Sequence, residues 1–585
     1  MFRPNVSLRL LALLALAGGA VRAEVSLAPS VRIGAPEWAG PLVRSGDGAW
    51  WAGEPGGMRV SRDEGRTWER RAIHDSQRFQ SRPERALLRT KEGVILYAFL
   101  NQREYAFKWD DTKGGPQEGC RLPVYLARSA DDGRTWAAPV LLQDGWCGAV
   151  RQMIQLRTGR VLLVSQLARA NPGRHVTVVH YSDDLGVTWK TGAPIDLGDE
   201  GNYRNPETGL RAGTHGGGIE GTVLEKQNGE LTLLLRVPHG CFFTYASRDG
   251  AAWSGPVPSV LEASDSPGML HRLASGRAVL VWNRYRDSAL RRGRREQLSI
   301  AFSENDGLTW TTPQVIATNP APAGQPEARY WIAYPYIFEP SPGRLLLSTM
   351  QGKLLLDLDE RDFLAPAVRP HAGPVVRIVT LGDSITRGAR RGVLPTETFS
   401  VQLERQLRAG GWDAQVHNLG IGSERTDLAL ARLEREVIAQ RPHVVTVMYG
   451  TNDSWVDRGK RASRLTEAQY EANLRELVRR LRAAAITVVL MTPPKFGEEN
   501  PRNGLDEEPN VRLGRYAALC RRVAAETGTP LVDHFGAWEA EQRAGRRLQP
   551  WTTDGCHPGP AGHQDLAGRM AGVIGPLLRR LPSSP

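Results

Sequence analysis

The chain has 585 residues, too many for a single hydrophobic core, so two large units or three to four small ones are expected. With 41% hydrophobic and 24% charged residues, it has the balance of a soluble globular protein. A net charge of +12 can draw anionic glycans, nucleic acid or membrane surfaces, but the densest basic run, Arg284 to Arg295, interleaves only Tyr285 as an aromatic platform and argues against nucleic acid.

In chain order, residues 1–10 carry Arg3 and Arg9, a short apolar run LLALLALAGGA follows, and Val21-Arg22-Ala23 places small residues where a signal peptidase reads. We expect a cleaved signal peptide over 1–23, a mature chain starting near Glu24 with a net charge of +9, and secretion or export to a periplasm. The apolar run is too short to span a bilayer, and no later stretch is long and apolar enough. Five cysteines in an exported chain allow two disulfides at most, Cys520 with Cys556 being one expected pair. Their wide spacing resembles no zinc site, and no metal or other cofactor is expected.

The phrase SRDEGRTW at Ser61 returns as SADDGRTW at Ser129, SDDLGVTW at Ser182, SRDGAAW at Ser247 and SENDGLTW at Ser303. The intervals of 68, 53, 65 and 56 residues each hold about four short strands with their turns. Between the phrases lie strand-like runs, GVILYAFL, GRVLLVSQL, GELTLLLRV and GRAVLVWNR, each opened by glycine, and helical signals are nearly absent. Within a phrase, Asp63 can accept backbone N–H groups, Gly65 can take positive φ and Trp68 can plug the gap beside the next strand. None of the three needs a catalytic role.

These phrases resemble the Asp boxes of the sialidase-like (BNR repeat) propellers, which implies a six-bladed β-propeller over 24–365 with its first and last segments closing the ring. In that family three arginines clamp a carboxylate, an Asp serves as acid and base, and a Glu activates a Tyr. GGIEGTVLEKQNGELTLLLR resembles the segment with the Glu and a following arginine, giving Glu220 and Arg236. YWIAYPYIFE resembles the segment with the Tyr, giving Tyr334 ahead of Tyr336. The early arginine signature survives only as VRIGAP at Arg32, Arg284 or Arg286 would supply a third arginine, and no Asp stands out as the acid. A strand-end ion pair is the alternative reading of Glu220 and Arg236.

A Pro-rich stretch containing the expected linker 366–375 ends this pattern, and over 376–582 short apolar runs alternate with amphipathic helical ones. Strands at RIVTLG, VHNLG, VVTVMYG, ITVVLMTPP and PLVDHF, separated by helices, predict an α/β domain whose parallel sheet is covered on both faces. Chemistry then belongs at the carboxyl ends of the strands. GDSITRG ends the first strand with Ser384, YGTND ends the third with Asn452, and TTDGCHPGPAGH places Asp554 three residues before His557. A serine needs an imidazole to take its proton, and the imidazole needs an acceptor to fix its tautomer.

GDS, NLGIGSERT, YGTND and DGCHPG, in that order, resemble the four blocks of SGNH (GDSL-type) esterases, a flavodoxin-like α/β class. The resemblance implies Ser384 as nucleophile, His557 as general base and then acid, and Asp554 as its orienting partner. Asn452 and the backbone N–H of Ser384 would bind the oxyanion. A third donor falls on Ser423, where the family usually has glycine, or on Gly422. Asp453 is expected to support the Asn452 loop, His563 to cap or pack, and His534 beside Asp533 is the one rival base. Glu498 and Glu499 read as a solvated loop.

Together these readings imply a secreted serine esterase that deacylates, most simply deacetylates, a glycan held or trimmed by the propeller. One alternative is a bifunctional exo-sialidase and sialate O-acetylesterase, and another is a glycan-binding protein without catalysis. The expected partner is an acylated glycan or oligosaccharide, without nucleic acid or a membrane span; the sequence does not fix the oligomeric state.

Overall fold

The computed structural model describes residues 25–33, 40–110, 115–170, 173–198, 217–237, 239–284, 295–321, 330–364 and 376–579. The expected signal peptide, the linker and Arg286 lie outside them. Among the described residues no helix is long and apolar enough to cross a membrane.

Among the described residues, 26–359 form six antiparallel sheets of four or five strands arranged as the blades of a propeller, with a separate two-stranded ribbon of Trp109–Asp110 and Gly115–Pro116. The innermost strands Leu42–Arg44, Ser81–Arg89, Val150–Gln155, Ile219–Glu225, Met269–Arg272 and Ala333–Ser341 touch in succession, and the sixth touches the first, which closes the ring. Closure uses the chain's beginning. Arg32–Ile33 pairs antiparallel with Leu356 and Asp357 and supplies the outermost strand of the sixth blade. Ser26–Leu27 adds a fifth strand to the fifth blade.

Each repeated phrase is the turn from the third to the fourth strand of a blade, starting at the last residue of the third strand. At Ser61 the hydroxyl donates to Asp63 Oδ1 at 2.8 Å and accepts the N–H of Gly65 at 2.8 Å. Asp63 also accepts the Thr67 N–H at 2.8 Å and the Thr67 hydroxyl at 2.7 Å, while Trp68 Nε1 donates to the Gly65 carbonyl at 3.0 Å. Gly65 takes φ +82°, where a β-carbon would be strained. The sixth blade has no such phrase because its fourth strand comes from the start of the chain, leaving no third-to-fourth turn to tie.

Alternation along the strands sends apolar side chains to the gaps between blades, and one apolar cluster fills each of the six gaps. Between the third and fourth blades, for example, Leu162 and Val164 meet Leu231, Leu233 and Leu235. Truncating one such leucine to alanine costs about 2–5 kcal/mol.

Residues 376–579 form a parallel five-stranded sheet in the order Ala414–Gly420, Val376–Gly382, Val444–Met448, Thr487–Thr492, Leu531–Asp533. This 2-1-3-4-5 order is the flavodoxin-like one, with its switch point between the first and third strands. Helices Glu467–Ala483 and Pro509–Thr527 cover one face through Tyr470, Leu474, Leu477, Tyr516 and Val523. Phe399–Ala409 and Pro560–Leu578 cover the other through Phe399, Leu403, Leu566, Met570 and Ile574. A further helix, His534–Arg543, follows the fifth strand directly, with Asp533 capping it by accepting the Gly536 N–H.

All five cysteines are free thiols, which corrects the expected Cys520–Cys556 pair. Cys520 packs inside one helical face, whereas Cys556 lies on the loop after Thr553 against Phe496 and Leu513.

Candidate active site

Ser384 opens the short helix Ser384–Arg387 directly after the first strand. Asp383 caps that helix by accepting the Ile385 N–H at 2.9 Å. The turn is pressed hard against the second strand, where a β-carbon on Gly420 would lie 2.1 Å from the Arg387 nitrogen. Asn418 ties it down from the same strand, donating to the carbonyl of Thr386 at 2.7 Å.

The loop after the last 3-10 turn brings His557 across 173 residues of sequence: its Nε2 lies 2.9 Å from Ser384 Oγ. Its Nδ1 faces Asp554, 2.9 Å from Oδ2 and 3.1 Å from Oδ1. Asp554 Oδ1 also accepts the N–H groups of His557 and Cys556, at 2.9 and 3.1 Å, and Oδ2 accepts Arg390 Nη2 at 2.7 Å. Burial works to raise the Asp554 carboxyl, but the N–H and imidazole of His557 and the Cys556 N–H outweigh it and hold the group at about 2. Burial, then the charge of Arg390, lowers His557 below the ordinary histidine value against the pull of Asp554. Both effects favour the neutral imidazole, the form able to take a proton from the serine hydroxyl.

Asn452 stands in the turn after the third strand, across the switch point from Ser384. Its Oδ1 accepts Arg464 Nη1 at 3.0 Å, and Arg464 is itself fixed by Asp457, so Nδ2 points to the serine turn, where it donates to Asp383 Oδ2 at 3.2 Å. Burial raises the Asp383 carboxyl to about 7. Asp453 is a buried brace, accepting the Thr426 N–H and hydroxyl on one oxygen and the Gly450 N–H on the other. Ser423 takes φ +63°, the left-handed conformation that glycine adopts freely and serine adopts at a cost of about 1 kcal/mol. Gly422 precedes it on the same turn.

The rival base is elsewhere. His534 is fully buried, neither ring nitrogen has a hydrogen-bond partner, and burial lowers it to about 3. His563 is also buried, and its Nδ1 accepts the N–H of Phe399 at 3.2 Å, joining two helices. Glu498 accepts the N–H groups of Leu548 and Gln549, and Glu499 pairs with Arg547. Sequence reasoning missed Arg390 and Arg464, which orient the reactive groups but lie in no recognisable spacing.

At the centre of the propeller, Tyr334 donates to Glu220 Oε1 at 2.7 Å, and Arg236 Nη1 donates to Glu220 Oε2 at 2.7 Å and to the tyrosine oxygen at 3.3 Å. Glu220 and Tyr334 both take positive φ, +54° and +61°, strain that persists only where the surroundings impose it. Burial would raise Glu220, but Arg236 and Tyr334 hold it below the ordinary range. Tyr336 instead lies under Arg151, whose guanidinium is 4.5 Å from its ring centre.

Of the expected arginines, Arg32 sits on the outermost strand of the sixth blade, three strands from Tyr334, and Arg284 stands 4.0 Å from Glu262. Arg295 takes the central place, over the rings of Trp331 and Tyr334 at 4.6 and 5.5 Å. Glu84, on the inner strand of the second blade, also feels this cluster: burial, then the charge of Glu220, raises it to about 8.

A cleft of about 310 Å³ lies where the fourth blade meets the hairpin after Arg390. His239 stacks on Phe243 on one side, ring centres 5.1 Å apart, and Arg391, Gly392 and Leu394 form the other.

Residues 380–564 match the GDSL-like lipase/acylhydrolase family, and 112–347 match a BNR repeat-like domain. An acetylxylan esterase of Geobacillus stearothermophilus is 32% identical over 169 residues, 28% of this chain and 72% of the relative. An isoamyl acetate-hydrolyzing esterase 1 homolog of Rattus norvegicus is 28% identical over 229 residues, 35% of this chain and 84% of the relative. Among solved structures, a G. stearothermophilus acetylxylan esterase aligns at 27% identity over 34% of this chain and 94% of its own, with a TM-score of 0.29. The chain thus belongs, through the domain that carries Ser384 and His557, to the GDSL-like lipase/acylhydrolase family of ester-bond hydrolases, with a BNR-repeat propeller in front.

Proposed function

We propose that this protein is an exported, carbohydrate-active serine esterase that removes acyl groups, acetyl foremost, from a glycan that the propeller helps to hold. The observation that carries the reading is the unbroken line from Ser384 Oγ through His557 to Asp554, with 2.9 Å at each joint. Ser384 Oγ attacks the ester carbon as its proton passes to His557 Nε2, while Asp554 holds the tautomer and the imidazolium. Asn452 Nδ2, the N–H of Ser384 and an N–H of the Gly422–Ser423 turn receive the developing oxyanion. The alcohol leaves with the proton from His557, and water repeats the steps on the acyl-enzyme.

Several features support a sugar as the alcohol. A named relative acts on acetylxylan, the partner domain is a BNR-repeat propeller, and the cleft beside Arg390 offers a flat His239–Phe243 stack with polar edges. The leader-like first 23 residues support export. The division into propeller (24–365), linker (366–375) and hydrolase (376–582) fits a last blade strand ending at Asp359 and a parallel sheet starting at Val376. Acetate release from acetylated xylooligosaccharide and from p-nitrophenyl acetate, by wild type and Ser384→Ala, tests the reading. Turnover retained by the variant refutes the nucleophile, and activity on the phenyl ester alone refutes the glycan substrate.

A second reading, in which the propeller also cleaves a sialoside, is favoured by the Tyr334–Glu220–Arg236 cluster with Arg295 beside it. A carboxylate-activated phenol suits attack on an anionic sugar. A fluorogenic sialoside left intact by wild type, but bound less tightly by Arg236→Ala, would leave the propeller a binding role only.

A further inference from the structure

The fifth phrase departs from the others at one position: Asn305 stands where three of them place an aspartate before the Gly and Thr. In those turns the threonine hydroxyl donates to the aspartate, at 2.7 Å for Thr67 and 2.6 Å for Thr135. In the fifth, Asn305 Oδ1 still accepts the Ser303 hydroxyl and the Thr309 N–H, at 3.0 and 2.9 Å, so the knot survives. The amide nitrogen reverses the remaining bond. It donates to Thr309 Oγ1 at 2.8 Å, which releases the threonine proton to point elsewhere.

That proton goes into the other domain. Thr309 donates to Glu436 Oε2 at 3.1 Å, and Asn305 Nδ2 reaches the same oxygen at 3.4 Å. Two neighbouring bonds hold the contact, Thr312 to Gln440 at 3.1 Å and His417 Nε2 to the Trp310 carbonyl at 2.8 Å. An aspartate at 305, a half-buried position, would set a second carboxylate against the buried Glu436, where like charges repel.

Glu436 lies on a π-helical turn, Leu433–Val437, the kind of irregularity that accompanies functional sites. It accepts Arg432 Nη1 at 3.2 Å. Arg432 spends its other nitrogens on a single loop: Nε and Nη2 each meet the Glu424 carboxylate at 2.7 Å, and Nη2 also meets the Leu419 carbonyl at 2.6 Å. One guanidinium thus grips both ends of 419–424, the strand end and following turn that carry Gly422 and Ser423. Glu424 Oε2 further accepts the hydroxyl of Tyr449 at 2.6 Å, three residues before Asn452. Glu424, Arg432, Glu436 and Tyr449 are all buried.

We infer that the fifth propeller blade positions the oxyanion-binding loops of the esterase domain, through the relay Asn305/Thr309 to Glu436 to Arg432 to Glu424. The blade is then part of the catalytic apparatus at one remove, and Asn305 is a positioning residue rather than a variant of a structural repeat. This inference rests on the esterase reading.

The test is the turnover of p-nitrophenyl acetate by the full chain, with the thermal midpoint recorded alongside. Asn305→Asp should lower kcat by about tenfold with KM nearly unchanged. Glu436→Gln alone, which breaks the same relay at its next member, should lower kcat to a similar extent, and Asn305→Asp added to it should cost no more than about twofold further. A folded Asn305→Asp protein with wild-type kcat, or losses from Asn305→Asp and Glu436→Gln that multiply in the double variant, would overturn the inference. If Asn305→Asp does not fold, Thr309→Val takes its place, with about a threefold loss of kcat expected and full kcat overturning the inference. Ser384→Ala separates the two levels: its inactivity beside a fully active Asn305→Asp sinks only the relay, whereas its activity sinks the esterase reading itself.

Discussion

The two clusters of reactive side chains are built in opposite ways. In the C-terminal domain the imidazole and its carboxylate ride on one loop and meet a serine at a strand end, leaving Asp554 40% and His557 23% exposed in their side chains. At the propeller centre Glu220 and Arg236 come from the fourth blade, Arg295 from the fifth and Tyr334 from the sixth, and Glu220 and Arg236 are each only 8% exposed. The first arrangement is open, so substrate can reach a poised base without disturbing it. The second is closed upon itself by a Glu–Arg pair and two strained residues, so any ligand there must displace or complement charges already satisfied. This difference makes the ester chemistry the primary assignment and the propeller chemistry the secondary one.

Four substitutions would break or sharpen that contrast. His557→Ala should give the largest effect, a fall in kcat of about 10⁴-fold or more on p-nitrophenyl acetate. Asn452→Ala should cost about 10² to 10³ in kcat if its amide meets the oxyanion. Arg390→Ala should cost less than about tenfold but change the pH profile. Its positive charge disfavours the imidazolium, so its removal raises the His557 pKa. Because the neutral imidazole is the active form, the acidic limb of kcat/KM should then move to higher pH. Tyr334→Phe should leave ester hydrolysis within about twofold of wild type, since the two clusters share no residue. A larger loss would show that the sites are coupled.

The parts legible in the sequence are those whose determinants are local. The eight-residue turn at Ser61 contains its own donors, acceptors and positive-φ glycine, so five copies announced a propeller. Alternating strand and helix periods likewise marked the parallel sheet. The helix His534–Arg543 was missed because PLVDHF read as a strand to its end, whereas Asp533 already caps a helix. Glu84, Arg151 and Arg295 were missed for a different reason. Each is a single side chain on its own blade, and only ring closure brings them together around Tyr334 and Tyr336. Arg390 and Arg464 carry the same lesson in the C-terminal domain, since a guanidinium that orients a reactive group has no fixed sequence distance from it. Ser423 shows a further limit: its left-handed backbone explains why glycine is the family's usual choice, but only the folded chain shows that serine adopts it here.

The central claim is that the hydroxyl of Ser384 is made nucleophilic by His557. Its most direct test is peptide mapping of the protein after reaction with a fluorophosphonate. The account predicts a single adduct on the peptide containing Ser384, absent from heat-denatured protein and from His557→Ala. An unlabelled native protein, or an adduct on any other residue, would contradict it.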